Sequence, residues 1–123
     1  MEKDIKIPET LAEAVNEVIN RIAPEELEEF KFGKFTLPQL HMSFGMWLRN
    51  NWGLWSGSKL RDVFFDLGIY HADDMSGIIL DAAQNKLEGK DFNLTEQVNH
   101  YRKYWADRGI ACDQEIKKLR SRK

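Results

Sequence analysis

Residues 36–51, TLPQLHMSFGMWLRNN, decide how the rest of the chain is read. Thr36 and Gln39 stand three apart, the spacing of a capping box, in which a hydroxyl and an amide each satisfy a backbone N–H left open at a helix start. Leu37, Leu40, Phe44, Trp47 and Leu48 then share one face at helical periodicity, and Met42 and Met46 lie on the other side. A helix apolar on two sides is shielded on two sides, which predicts a central helix over about 36–51. Gly53 is its stop signal.

Other helices gather around this one. Thr10 and Glu13 form a second capping box, followed by a stripe of Leu11, Val15, Val18, Ile19 and Ile22. Pro24, Glu25 and Glu26 suit the first turn of a short helix that carries Leu27 and Phe30 inward and ends at Gly33. Phe30 to Leu37 is ambiguous and reads as a small extended turn. Ser58–Leu67 reads as a helix with Leu60, Val63, Phe64 and Leu67 inward and Gly68 as its stop. Asp73 or Asp74 is the expected cap of the next helix, which carries Met75, Ile78, Ile79, Ala82 and Ala83 and closes at Gly89. A last clear stripe of Leu94, Val98, Tyr101 and Trp105 begins near Asn93 and ends at Gly109. The expectation is an all-α protein, a compact orthogonal bundle of five to six helices.

Composition agrees with that picture. At 123 residues, 42% of them apolar and 31% charged, the chain suits one domain that buries its own core without a disulfide or metal staple. We place that domain at residues 1–109, with 110–123 as a basic tail holding a marginal helix around Ile116 and Leu119. One cysteine, Cys112, excludes an internal disulfide and a thiolate metal cluster. The longest uncharged run, Phe35 to Leu48, is too short to span a bilayer, which takes about 20 residues. The first residues lack the apolar core of a signal peptide. A cytoplasmic protein with no membrane attachment follows by default.

The net charge of −2 conceals an asymmetry: residues 1–30 carry −6, residues 31–98 carry −1 and residues 99–123 carry +5. A basic end can touch nucleic acid or an acidic partner. The simpler reading is a solvated terminus whose removal hardly changes the melting temperature, and nucleic acid is not the expected partner.

Chemistry concentrates in two places. Arg49, Asn50, Asn51, Trp52 and Trp55 crowd one helix end and the loop after it, with His41, Gly45 and Arg49 in line at four-residue spacing. An arginine beside tryptophans stacks on them and still offers a fork of donors to a carboxylate or phosphate. The structural alternative has Arg49 paired with Asp73 or Asp74, the two asparagines capping the helix end, and the tryptophans in the core. The second place is His71-Ala-Asp73-Asp74, where an imidazole beside carboxylates suits a general base or half of a metal site with His41. Three histidines are few for a metal site, so no metal and no cofactor is expected. A phosphate loop, a serine nucleophile elbow and an HExxH pattern are all missing.

The run His41-x-x-x-Gly45-x-Trp47-x-Arg49-Asn50-Asn51-Trp52-Gly53-Leu54-Trp55, followed by Gly68-Ile69-Tyr70-His71-x-Asp73-Asp74-Met75-Ser76, resembles an uncharacterised family of short bacterial proteins. The likeness extends from about Pro24 to Trp105, and Ala72 stands where family members often have proline. It implies a bacterial or phage source and a shared fold. It transfers no catalytic residue.

Two functions from different classes follow. One is a non-enzymatic binding or regulatory module that meets a macromolecular partner, a protein above all, through Arg49, Trp52 and Trp55. The other is a small enzyme or anionic-ligand-binding protein built on His41, Arg49, Asn50, His71 and Asp73. A homodimer is a further arrangement, in which a second copy shields helix 36–51.

Overall fold

The computed structural model of the protein describes residues 6–22 and 44–121. The described residues form helices and connecting turns, with no strand among them. In chain order the helices are α1 (Leu11–Arg21), α2 (Met46–Asn51), α3 (Lys59–Leu67), α4 (Ala72–Leu87), α5 (Leu94–Ala106) and α6 (Cys112–Arg120). None is long and apolar enough to cross a membrane. The short helix expected after Pro24, His41 and the first half of the helix expected over 36–51 lie outside the described residues.

Helices α1, α3 and α4 each start where a side chain takes up an open backbone N–H. Thr10 Oγ1 accepts from the Glu13 N–H at 3.1 Å, while the Glu13 carboxylate accepts from the Glu9 N–H at 3.0 Å. The box therefore closes one residue earlier than its usual form. Ser58 caps α3 by accepting from the Arg61 N–H, and Gly68, at φ 91°, closes that helix in the left-handed region.

Of the described helices, α4 is the most enclosed. Met75 through Leu80, Ala82 and Ala83 are all buried, and the helix packs against α1, α2 and α5. Its partner stripe on α1 is Leu11, Ala14, Val15 and Val18. Large buried side chains such as Ile78 and Ile79 each contribute about 1.5–3 kcal/mol by leaving water. By contrast the described turns of α2 bury only Leu48.

The C-terminal segment differs from a solvated tail. Residues 112–120 form a helix that packs on α5, with Cys112 and Ile116 buried and Leu119 half-buried against the core. Arg102 meets Asp113 at 3.1 Å and Arg120 meets Asp66 at 2.8 Å, so two of the basic residues on this side face acids of the same chain. The physical reason is the spacing of Cys112, Ile116 and Leu119. They share one face, and an apolar face outweighs exposed charge on the other three sides.

Candidate functional site

Two of the expected site residues, Arg49 and Asp73, meet at the first turn of α4. Arg49, from α2, places its Nε 3.2 Å from Asp73 Oδ1 and donates through Nη1 to Ser76 Oγ at 2.8 Å. Ser76 is fully buried and its hydroxyl donates to the Asp73 carbonyl at 3.0 Å. The Arg49 side chain is only 11% exposed. The guanidinium is thus engaged within the protein and its charge is met by Asp73, the structural alternative raised by the sequence. An anionic ligand would have to compete with that carboxylate.

The residues flanking Arg49 divide. Asn51 Nδ2 donates to the Trp47 carbonyl at 2.9 Å and secures the helix end, whereas Asn50 is exposed. Trp52 has no exposed surface and packs edge-on against Trp47 at 5.9 Å, so it belongs to the core and cannot meet a partner. Its indole N–H has no hydrogen-bond partner among the described residues. Trp55 is 52% exposed. The difference arises in the turn between them. Gly53 sits at φ 67°, and a Cβ there would lie 2.6 Å from the Gly57 carbonyl oxygen. Only glycine permits that closure, which the Gly57 N–H seals by donating to the Gly53 carbonyl at 2.8 Å. The turn turns Trp52 inward and carries Trp55 outward, and Arg61 holds it from below by donating to the Trp55 carbonyl.

His71, not Asp73 or Asp74, caps α4. Its Nδ1 accepts from the Asp73 N–H at 3.1 Å. The aspartates instead occupy the first turn, where the helix dipole favours them, and their carboxylates reach other elements. The cap also fixes the imidazole. A neutral ring that accepts at Nδ1 carries its proton on Nε2. The geometry of an acid-held base, with Nδ1–H directed at a carboxylate, is therefore not the one present, although Asp73 Oδ2 lies 3.9 Å away.

Around His71 the structure assembles rings from three segments. Trp105 of α5 stacks on it at 5.5 Å and 19°, Trp55 meets it edge-on at 5.5 Å, and Tyr70 does so at 5.7 Å. Tyr104, 41% exposed, continues the row from Trp105. The Trp105 indole donates to Asp74 Oδ2 at 2.8 Å, tying α5 to the start of α4. Burial pushes the Asp74 carboxyl above the usual carboxylate range, and the Trp105 bond offsets only part of this. Between the two helices lies a cleft of about 280 Å³, with His71, Asp73 and Asp74 on one side and His100, Tyr101, Tyr104 and Trp105 on the other. The sequence stripe placed Trp105 and Tyr101 inward but gave no sign that they meet Asp74 and this cleft. No group of three or more His, Cys, Asp or Glu side chains among the described residues is placed to hold a metal. Cys112 is buried, and burial pushes its thiol up, away from the thiolate that nucleophilic chemistry needs.

A family model described as a domain of unknown function, DUF6794, matches residues 7–87. The chain belongs to that family. The DUF6794 match takes in α1 to α4 and with them Arg49, Trp55, His71, Asp73 and Asp74, while the α5 wall of the cleft lies beyond it. No curated protein and no solved structure matches the chain.

The phenol of Tyr101 offers a check on the cleft wall. Burial, with smaller contributions from Asp81 and Asp74, pushes it up to about 12. An unfolded phenol ionises near 10. The folded state therefore holds its proton more tightly: its stabilising contribution is complete below about pH 10 and is lost as pH rises through about 12. Discounted for partial solvent access, the loss should be about 1–2 kcal/mol. Chemical denaturation across that window should show Tyr101→Phe losing less stability than the parent. Parallel curves would mean that the phenol faces water.

Proposed function

We propose that the chain is a non-enzymatic binding module of the bacterial cytoplasm that engages a protein partner through the face formed by Trp55, His71 and Tyr104. The observation that carries the reading is the exposure of Trp55, a tryptophan held outward by a glycine-dependent turn and braced by His71. Leaving an indole half in water has no folding benefit, whereas tryptophan and tyrosine dominate the energetics of protein interfaces. The rings behind it are locked by packing and by the Trp105–Asp74 bond, so ordering the face on binding costs little. The family resemblance and its sequence run through Arg49 to Trp55 support a bacterial setting. Arg49 acts here by holding α2 to α4 and so placing the turn that carries Trp55.

The anionic-ligand and small-enzyme alternative has less support. Its arginine is matched by Asp73, and the cap at His71 occupies the nitrogen that a dyad would use.

Trp55→Ala tests the reading. The variant should unfold within about 0.5 kcal/mol of the parent, as surface substitutions do. It should also weaken capture of a specific partner from bacterial extract, by about 30-fold for a hot spot of roughly 2 kcal/mol. Undiminished capture by Trp55→Ala would refute the assignment.

A further inference from the structure

The cleft beside the exposed tryptophan is chemically one-sided. Its walls carry two carboxylates, two phenols, an indole and two imidazoles, and no lysine or arginine. Asp73 is matched by Arg49, but among the described residues no lysine or arginine is paired with Asp74. Its Oδ2 is held by the Trp105 indole, and Trp105 is its one side-chain hydrogen-bond donor among the described residues. A half-buried carboxylate with an oxygen left to pair gains most from a charged donor. The rings around it present faces and edges suited to a flat cation.

From this we infer that the cleft receives an arginine side chain of the protein partner, its guanidinium paired with Asp74 and stacked against the Tyr104–Trp105 wall. The inference rests on the binding reading above and names the partner's chemistry. Arginine fits better than lysine because a planar guanidinium donates a fork to a carboxylate while lying on an aromatic face. The chain already uses that contact repeatedly. Arg21 stands 4.5 Å over Trp47 and Arg61 4.7 Å over Phe65, and Arg108, 3.5 Å over Tyr104, already covers one face of that ring, so an incoming guanidinium takes the other. Burial also holds the Asp74 carboxyl above its ordinary range, and an incoming cation would bring it back down. The site rejects anions on the same grounds, since a phosphate or carboxylate would meet Asp73 and Asp74.

The test is an NMR titration of the full chain at about pH 8, where ordinary imidazoles are neutral, following the indole N–H of Trp105. The probes are a capped Gly-Arg-Gly peptide and its citrulline twin, which keeps the shape and loses the charge. The arginine peptide should shift the Trp105 signal saturably and bind roughly tenfold more tightly than the citrulline peptide. Asp74→Asn, whose amide oxygen can still accept from the indole, should remove that preference. Equal shifts with the two peptides, or none from either, overturn the inference without needing any variant to fold. The peptide titration reads the cleft and the Trp55→Ala capture reads the partner, which separates the two proposals. A charge-selective cleft with no Trp55-dependent partner would uphold the cation site and sink the partner reading. A Trp55-dependent partner with a charge-blind cleft would do the reverse.

Discussion

Arg49→Ala should lower the free energy of unfolding by about 3 kcal/mol, the low end of the cost of breaking an enclosed ion pair. The Arg49 side chain is 11% exposed, with Asp73 and the fully buried Ser76 as partners. Removing it leaves Ser76 without its donor and a gap between α2 and α4. Asp73 is 57% exposed and can turn to water, which keeps the loss at the low end. Arg49→Lys should recover little, because one ammonium cannot reach both partners as a fork does. Urea denaturation gives the answer through the midpoint at constant slope. A change below about 0.5 kcal/mol would show that Arg49 is dispensable to the fold and would reopen the anion-site reading.

Deleting residues 112–123 should lower the melting temperature by roughly 10 °C, where the sequence alone suggested almost no effect. Ile116 is 5% exposed and Cys112 is 6% exposed, so deleting α6 removes their buried contacts and uncovers the core surface they pack against. Ile→Ala at a buried site costs about 2–5 kcal/mol. A terminal helix can undock without unfolding the rest, which argues for about 2–3 kcal/mol here. For a chain of this length each kcal/mol moves the transition by about 4 °C. Ile116→Ala, with the chain otherwise whole, should reproduce most of the shift. The ion pairs Arg102–Asp113 and Arg120–Asp66 are exposed and add little, so raising the salt should not mimic the deletion. An unchanged transition would mean that α6 is not docked in solution.

These expectations show which parts of the molecule are written locally. Helix positions are: the Thr10 cap, the Ser58 cap and the Gly68 stop act over three or four residues, and each is where the sequence placed it. The stripes of α1 and α5 are legible for the same reason. What joins the helices is not. Arg49 and Ser76 lie 27 residues apart, and Asp74 and Trp105 lie 31 apart. No periodicity links them. The sequence offered Arg49 two acids, and geometry chose Asp73. It gave Trp52 and Trp55 the same standing, since each belongs to one glycine-rich turn, and only the left-handed Gly53 decides which indole faces the core. In the sequence His71 stands out for acid–base chemistry because aspartates are the commoner caps. The imidazole takes the cap since it precedes the helix by one residue, with Nδ1 in reach of the Asp73 N–H.

The opening turn of a helix is ordinarily the first part to loosen, since its leading amides lack partners within the helix. In α4 the His71 ring holds one of those amides, Asp73 and Ser76 anchor α2, and Asp74 anchors α5. The side-chain ties of α4 to α2 and α5 are therefore gathered in one turn, at His71, Asp73, Asp74 and Ser76. The usual order of opening is inverted there: this turn acts as the knot of the structure, and its release frees two other helices at once.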